Sequence, residues 1–456
     1  MDRVLKLVYD HWCSGIPLAN GIHPALVDDL QESSTSNDTD NTQKRINSLM
    51  NSDKTKFRGH DNFFRYFKKH YPNNEIIHTT GIKDDNSIYL YPIEIRTNIR
   101  TLYQTHSFSL NDKEYKYQFL EVVSPDILKR LKDGKVKLIV NYIHDPMTGD
   151  DELVNFESYL NSQGLDGSCC IMVCGNKIDV PNSKITVVSG LLFLREGAER
   201  LFEKPFISSL GYLLEYVTES DLDKNVIRPK KFLCFNRQLE NRQHRLILAH
   251  IALKYGLLEN SIFSFVQTVE DSVIYNSMDE WTNYFNDNWL QASRRIAQML
   301  PYEIDTQLLL GSDKTSFQTN NNKKQFYLDT YIHITSETKF KDVNEPFLSE
   351  KTFRPMLNLQ PFIYVGDYHA IKMLQELGFK TFHPYIDEAY DDEQDYNVRM
   401  TMIEKEIKKL NDLSVEELHD LYYNLIDRVI YNRKHLATFI NLNPYENLIR
   451  ELQNGI

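Results

Sequence analysis

No run of about eighteen apolar residues occurs in this chain, so no segment has the length of a transmembrane helix. Glycine-rich phosphate loops are also missing. Neither a GxGxxG nor a Walker sequence is present, which excludes P-loop kinases and the usual dinucleotide enzymes. Cysteine is scarce, and Cys13, Cys169, Cys170, Cys174 and Cys234 show no CxxC spacing. That argues against a zinc site and for buried free thiols in a reducing compartment. No short internal period marks a repeat protein. Positive charge is in deficit, with Lys and Arg at 52 against Asp and Glu at 64, a formal net charge of −12. A surface that grips nucleic acid over its whole extent is thereby excluded, although a local basic groove is not. The opening MDRVLKLVYDHWCSG carries Asp10 and His11 within its apolar part and is not expected to act as a secretory signal.

With 456 residues, 41% of them hydrophobic and 25% charged, the composition is that of a globular chain with more than one core. Residues 31–56 are polar and read as a surface loop or mobile insertion. KLVYDHW reads as a first strand, and HDNFFRYFKKHYP as a helix with Phe63, Phe64 and Phe67 on its aromatic face. VKLIVNYIHD and CCIMVCGN read as buried strands on either side of a helix ended by Gly164, and KITVVSGLLFL, rich in β-branched residues, extends the series. Polar residues 218–230 read as an interdomain linker. The pattern then restarts with KFLCFN, a helix closed by Gly256, YIHITSE, a helix from Glu350, and PFIYVG. Strands alternating with helices predict an α/β chain of two Rossmann-like domains, 1–225 and 226–456, with the last helix (444–456) crossing back to the first.

Three motifs carry chemistry. In SEKTFRPMLNLQPFIYVG, Glu350, Lys351 and Arg354 stand at a helix start, where free N–H groups and the helix dipole favour anions. Glu350 suits sugar hydroxyls, and Lys351 or Arg354 suits phosphate. The plain alternative is a surface cap, with Ser349 as N-cap and Glu350 in the first turn. YIHITSE upstream delivers Ser336 and Glu337 to the same sheet edge, and ligands of open parallel sheets bind there. In FLCFNRQLENRQHR, Asn236 and Arg237 end a strand, and Arg242, His244 and Arg245 follow at a helix start. Such a junction either forks onto a diphosphate or is a solvated basic turn paired with Glu240. In IVNYIHDPMTGDDE, His144 and Asp145 sit at a strand end, placed as a general base or simply opening an Asp-Pro turn. Asp221-Leu222-Asp223 fits a DxD metal pattern but falls in the linker stretch. IDEAYDDEQDYN reads as a solvated acidic face.

The Ser336-Glu337 strand end, together with Glu350-Lys351-Thr352-Phe353-Arg354-Pro355 and PFIYVG, resembles the donor-binding half of GT-B glycosyltransferases. Within them it is similar to the fucosyltransferase-like group and its relatives in large-genome viruses and phages. The resemblance spans roughly residues 231–382. Where that group has Phe-Glu-Asn, this chain has Ser336-Glu337-Thr338, which leaves the donor sugar open. Two domains facing a cleft are expected, with a nucleotide-sugar donor met by Asn236, Arg237, Arg245, Ser336, Glu337, Glu350, Lys351, Thr352 and Arg354. No metal is required if Arg237 and Lys351 neutralise the leaving diphosphate, and no cofactor is expected. Within that group the acid at Glu350 is expected to hold ribose and the base at Lys351 the diphosphate. The expected activity is hexosyl or pentosyl transfer in the cytoplasm (a host's, if viral), to a saccharide or glycan hydroxyl. A hydroxymethylated base in viral DNA is the second acceptor, for which Lys68-Lys69-His70 and Lys129 to Lys137 offer basic material. A non-catalytic nucleotide-binding protein is the alternative of another class.

Overall fold

The structure is a computed structural model and describes residues 5–9, 63, 66, 69–71, 76–78, 82–83, 87–95, 99–110, 113–144, 150–176, 183–202, 206–207, 213–236, 242–265, 286–292, 324–340 and 345–454. Two compact units make up the chain, Met1–Leu192 with Asn443–Ile456, and Phe193–Leu442. Polar residues 218–230 therefore lie inside the second unit. The insertion at 31–56, Phe64 and Phe67 lie outside the described residues.

In the first unit, strands β1 (Leu5–Tyr9), β2 (Ile76–His78), β3 (Ile88–Glu94), β6 (Val136–Tyr142), β7 (Cys170–Cys174) and β8 (Thr186–Ser189) form a parallel sheet. Their spatial order is β2-β1-β3-β6-β7-β8. A hairpin of β4 (His106–Leu110) and β5 (Lys113–Tyr117) interrupts the series. Strand alternation fills both faces. Tyr89, Tyr91, Leu138, Val140, Cys170, Met172 and Cys174 pack on one side, with Ile127 and Phe156 from the covering helices. Ile88, Leu90, Ile139, Ile171 and Val173 pack on the other, against Leu448, Ile449 and Leu452 of the last helix, Glu446–Asn454. Gly190 admits the returning chain here. A Cβ at that position would lie 2.9 Å from the Pro444 carbonyl oxygen and would also strike Ile143.

KITVVSGLLFL is a strand only as far as Ser189. From Leu192 it is helix, to Arg200, because its leucines and Phe193 supply apolar positions at helical spacing once Gly190 has broken the strand.

The second unit holds a short pair, β9 (Phe206–Ile207) with β10 (Leu213–Leu214). Its parallel sheet has β11 (Lys230–Asn236), β12 (Ile262–Phe265), β13 (Thr330–Ser336) and β14 (Phe362–Val365), ordered β12-β11-β13-β14. Every residue of β13 is buried, as expected of a strand covered on both faces. Helix Gln243–Lys254 follows β11 and helix Glu350–Leu357 precedes β14. Gly256 closes the first of these helices at φ +63°, a left-handed conformation that glycine adopts without strain. The chain leaves β11 toward β12 on one side and reaches β13 on the other. The order of strands thus reverses between β11 and β13, which is where ligands of such sheets bind.

Candidate functional site

Asn236 ends β11 and Ser336 ends β13, and the register that pairs Leu233 with His333 brings the two ends level. Two helices of eight and twelve residues begin beside them. Ser349 is the N-cap of the first, its hydroxyl accepting from Lys351 N. That arrangement satisfies one of the donors a helix start leaves open.

Glu337 ties the strand end to this helix. Its carboxylate accepts from Thr338 N at 2.9 Å, Ser349 N at 3.1 Å, Ser349 Oγ at 2.6 Å and Thr352 Oγ1 at 2.6 Å. Those bonds fill its acceptor sites. Glu337 and Thr352 are thus engaged with the chain itself and position the helix.

Glu350 is held differently, by cations. Lys351 Nζ lies 2.9 Å from Glu350 Oε1, and Arg354 Nη2 lies 3.9 Å from it. Burial raises the Glu350 carboxyl pKa, but Lys351 and Arg354 outweigh it and hold the group below its ordinary value. Lys351 Nζ also reaches Thr338 Oγ1 at 3.3 Å and Ser349 Oγ at 3.1 Å. It is only part-buried, so an arriving anion can meet it.

The second helix start brings Arg245 and His244 to the same strand end. Arg245 Nη2 donates to the carbonyl oxygens of Glu337 at 3.0 Å and Ser336 at 3.4 Å. His244 Nε2 lies 2.9 Å from the Glu337 carbonyl oxygen and there acts as donor. Burial first, then the Arg245 charge, keeps that imidazole neutral, well below its ordinary range. Burial and the neighbouring Arg242 charge pull Arg245 down to about 9. A cation disfavoured by its own burial gains from an arriving anion.

Arg245, Ser336, Glu337, Glu350, Lys351, Thr352 and Arg354 are therefore gathered around one sheet edge, with Asn236 level with Ser336. Arg237 and Asp145 lie outside the described residues, whereas His144 follows the end of β6 in the first unit and is part-exposed. Gln243 and His244 complete the edge. The surface-like composition of RQLENRQHR hides their burial.

Two further acidic stretches are placed by the structure. The acidic run 387–395 is solvated in part: Asp387, Asp392 and Asp395 are exposed, whereas Asp391 is not. Asp391 is buried and accepts from Ile371 N and Lys372 N, both at 2.9 Å. Glu388 accepts from Phe382 N and His383 N, and Asp395 caps helix Tyr396–Asp412. Asp221 pairs with Lys324 at 2.6 Å and bonds Thr218 N, so the DxD pattern serves a turn. Among the described residues no cluster of three or more His, Cys, Asp or Glu is placed to hold a metal. Cys169, Cys170, Cys174 and Cys234 are buried free thiols, and no described helix is long and apolar enough to cross a membrane.

No family model matches this chain, and no curated protein does. Solved structures with a similar layout include the N-terminal domain of a trehalose-6-phosphate phosphatase from Candida albicans, at 11% identity over 96% of each chain with a TM-score of 0.33. Another is a UDP-forming α,α-trehalose-phosphate synthase from Burkholderia xenovorans, at 9% identity over 98% of this chain and 100% of that one, with a TM-score of 0.29. Superpositions this loose assign neither activity nor substrate.

Proposed function

We propose that the second unit binds a nucleotide-sugar and that the chain is a metal-independent glycosyltransferase of GT-B type, fucosyltransferase-like, acting in the cytoplasm on a saccharide or glycan hydroxyl. One observation carries this reading. At the point where the strand order reverses, two helix starts bring Arg245 and Lys351 together with the carboxylate of Glu350. Cations beside helix N-termini suit a diphosphate, and a carboxylate not saturated by backbone N–H groups suits the hydroxyls of a ribose.

In the inverting course, the acceptor oxygen attacks the anomeric carbon and forms the new C–O bond. The bond from that carbon to the diphosphate breaks, and its electron pair leaves with the diphosphate. Arg245 and Lys351 neutralise the charge that grows there, as preorganised cations do. The acceptor's proton passes to a base, for which His144 and Asp145 are the candidates.

A thermal-shift screen of nucleoside diphosphates and their sugars tests the donor. A ligand at a hundred times its dissociation constant adds roughly 2.7 kcal/mol. No shift with any of them sinks the reading. Release of free sugar without acceptor distinguishes an enzyme from a non-catalytic binder on the same fold.

A further inference from the structure

Four polar atoms at the β11–β13 edge are buried without a hydrogen-bond partner: Asn236 Oδ1, Gln243 Oε1, Gln243 Nε2 and Ser336 Oγ. Their residues are 1%, 3% and 2% exposed in chain order. Each such atom costs on the order of 1–3 kcal/mol, and native chains carry few of them. Their concentration at one sheet edge calls for a ligand.

Asn236 and Ser336 end neighbouring strands level with each other, and Gln243 opens the helix that follows β11. Asn236 Nδ2 donates to Cys234 Sγ at 3.2 Å, which turns the amide to the sheet face carrying Cys234. That face is within electrostatic reach of Arg245. Gln243 opens the helix two residues before Arg245, and the Arg245 guanidinium in turn bonds the Ser336 carbonyl oxygen.

We propose that Asn236, Gln243 and Ser336 form the subsite that holds hydroxyls of the transferred sugar, a proposal that rests on the nucleotide-sugar reading above. The chemistry of the free atoms disfavours the diphosphate, and with the ribose placed at Glu350 the hydroxyls that remain are those of the transferred sugar. Asn236 Oδ1 and Gln243 Oε1 only accept, and an ionised diphosphate oxygen has no hydrogen to give them. A sugar hydroxyl both donates and accepts, so it matches an amide that presents one group of each kind. Charge recognises the diphosphate, while these neutral groups recognise the sugar beside it.

The test is calorimetric titration with UDP, GDP and ADP, and with UDP-glucose, GDP-mannose and ADP-glucose. Gln243→Leu should leave the affinity for the nucleoside diphosphate that binds within about twofold and weaken its sugar form about tenfold. Without ligand its Tm should equal or exceed that of the wild type, since an apolar group of similar shape replaces an unpaired amide. Ser336→Ala, which removes a single oxygen, carries the same expectation should the leucine variant fail to fold. An unchanged affinity for the sugar form overturns the proposal, as does equal weakening of both forms. A Tm lowered by several degrees in a variant that still folds also overturns it, because the group removed would then be structural. Wild-type protein that binds none of the diphosphates removes the nucleotide-sugar reading itself, a failure distinct from diphosphate binding that the variants leave untouched.

Discussion

Two regions of the second unit bury polar side chains, and they treat them in opposite ways. In the stretch 387–395 the buried Asp391 and the half-buried Glu388 end on backbone N–H groups: Asp391 on Ile371 and Lys372, Glu388 on Phe382 and His383. At the β11–β13 edge Glu337 is saturated in the same manner. Around it, however, Glu350 is held chiefly by the cations Lys351 and Arg354, and Asn236, Gln243 and Ser336 keep atoms without any partner. Saturation builds a turn or a helix start, whereas incompleteness leaves room for something that is not protein. The two are told apart by counting hydrogen bonds, because the presence of a carboxylate does not show what it meets.

The sharpest way to break the comparison is to remove a cation from the incomplete region. Arg245→Ala or Lys351→Met should lower transfer on the order of a hundredfold or more, read as sugar transfer or nucleotide-sugar hydrolysis on protein that still melts cooperatively. Near wild-type turnover in both variants would remove them from the chemistry, and full dependence on added manganese would end the metal-free mechanism.

Glu337→Gln probes saturation directly. Its amide presents two hydrogens toward donors and leaves buried N–H and O–H groups unpaired, which should cost about 3 kcal/mol of stability in denaturant titration. Asp391→Asn should lose less, about 1 kcal/mol, as for a weakened helix cap. It should bind nucleotide like the wild type, because no ligand meets Asp391. If the Asp391 change instead weakens nucleotide binding while Glu337→Gln leaves stability intact, the division between the two regions fails.

The smallest effect is a pH dependence. The Glu350 carboxyl is held below its ordinary value of 4.5 in the folded chain. Its contribution to stability is therefore fully present above that value and is lost as pH falls through the lowered one. Glu350→Gln should flatten this part of the acid limb in melts taken at successive pH values. An unchanged acid limb would mean that Lys351 and Arg354 do not stabilise the charge.

The elements around the site were legible because their patterns are local. VKLIVNY and CIMVC can be buried on both faces only as strands of a covered parallel sheet. Ser349 ahead of Glu350 marks a helix start by side-chain chemistry alone. The acidic run 387–395 was legible only in part: Asp387, Asp392 and Asp395 face water as its charge density suggests, but nothing local marks Asp391 as meeting a backbone N–H group twenty residues away.

The sequence by itself determined the alternation of strands and helices, the place of the helix starts, and the presence of Arg245, Glu350 and Lys351 near strand ends. Each follows from spacing of 2 or 3.6 residues and from the capping preferences of single side chains. Only the tertiary structure decided that β11 and β13 lie side by side, although 93 residues separate Asn236 from the start of β13. That pairing alone sets which carboxylate is saturated, which amide is left open, and which cations share an edge. The physical reason is that hydrogen-bond completion is a property of neighbours in space, and a sequence fixes neighbours only along the chain.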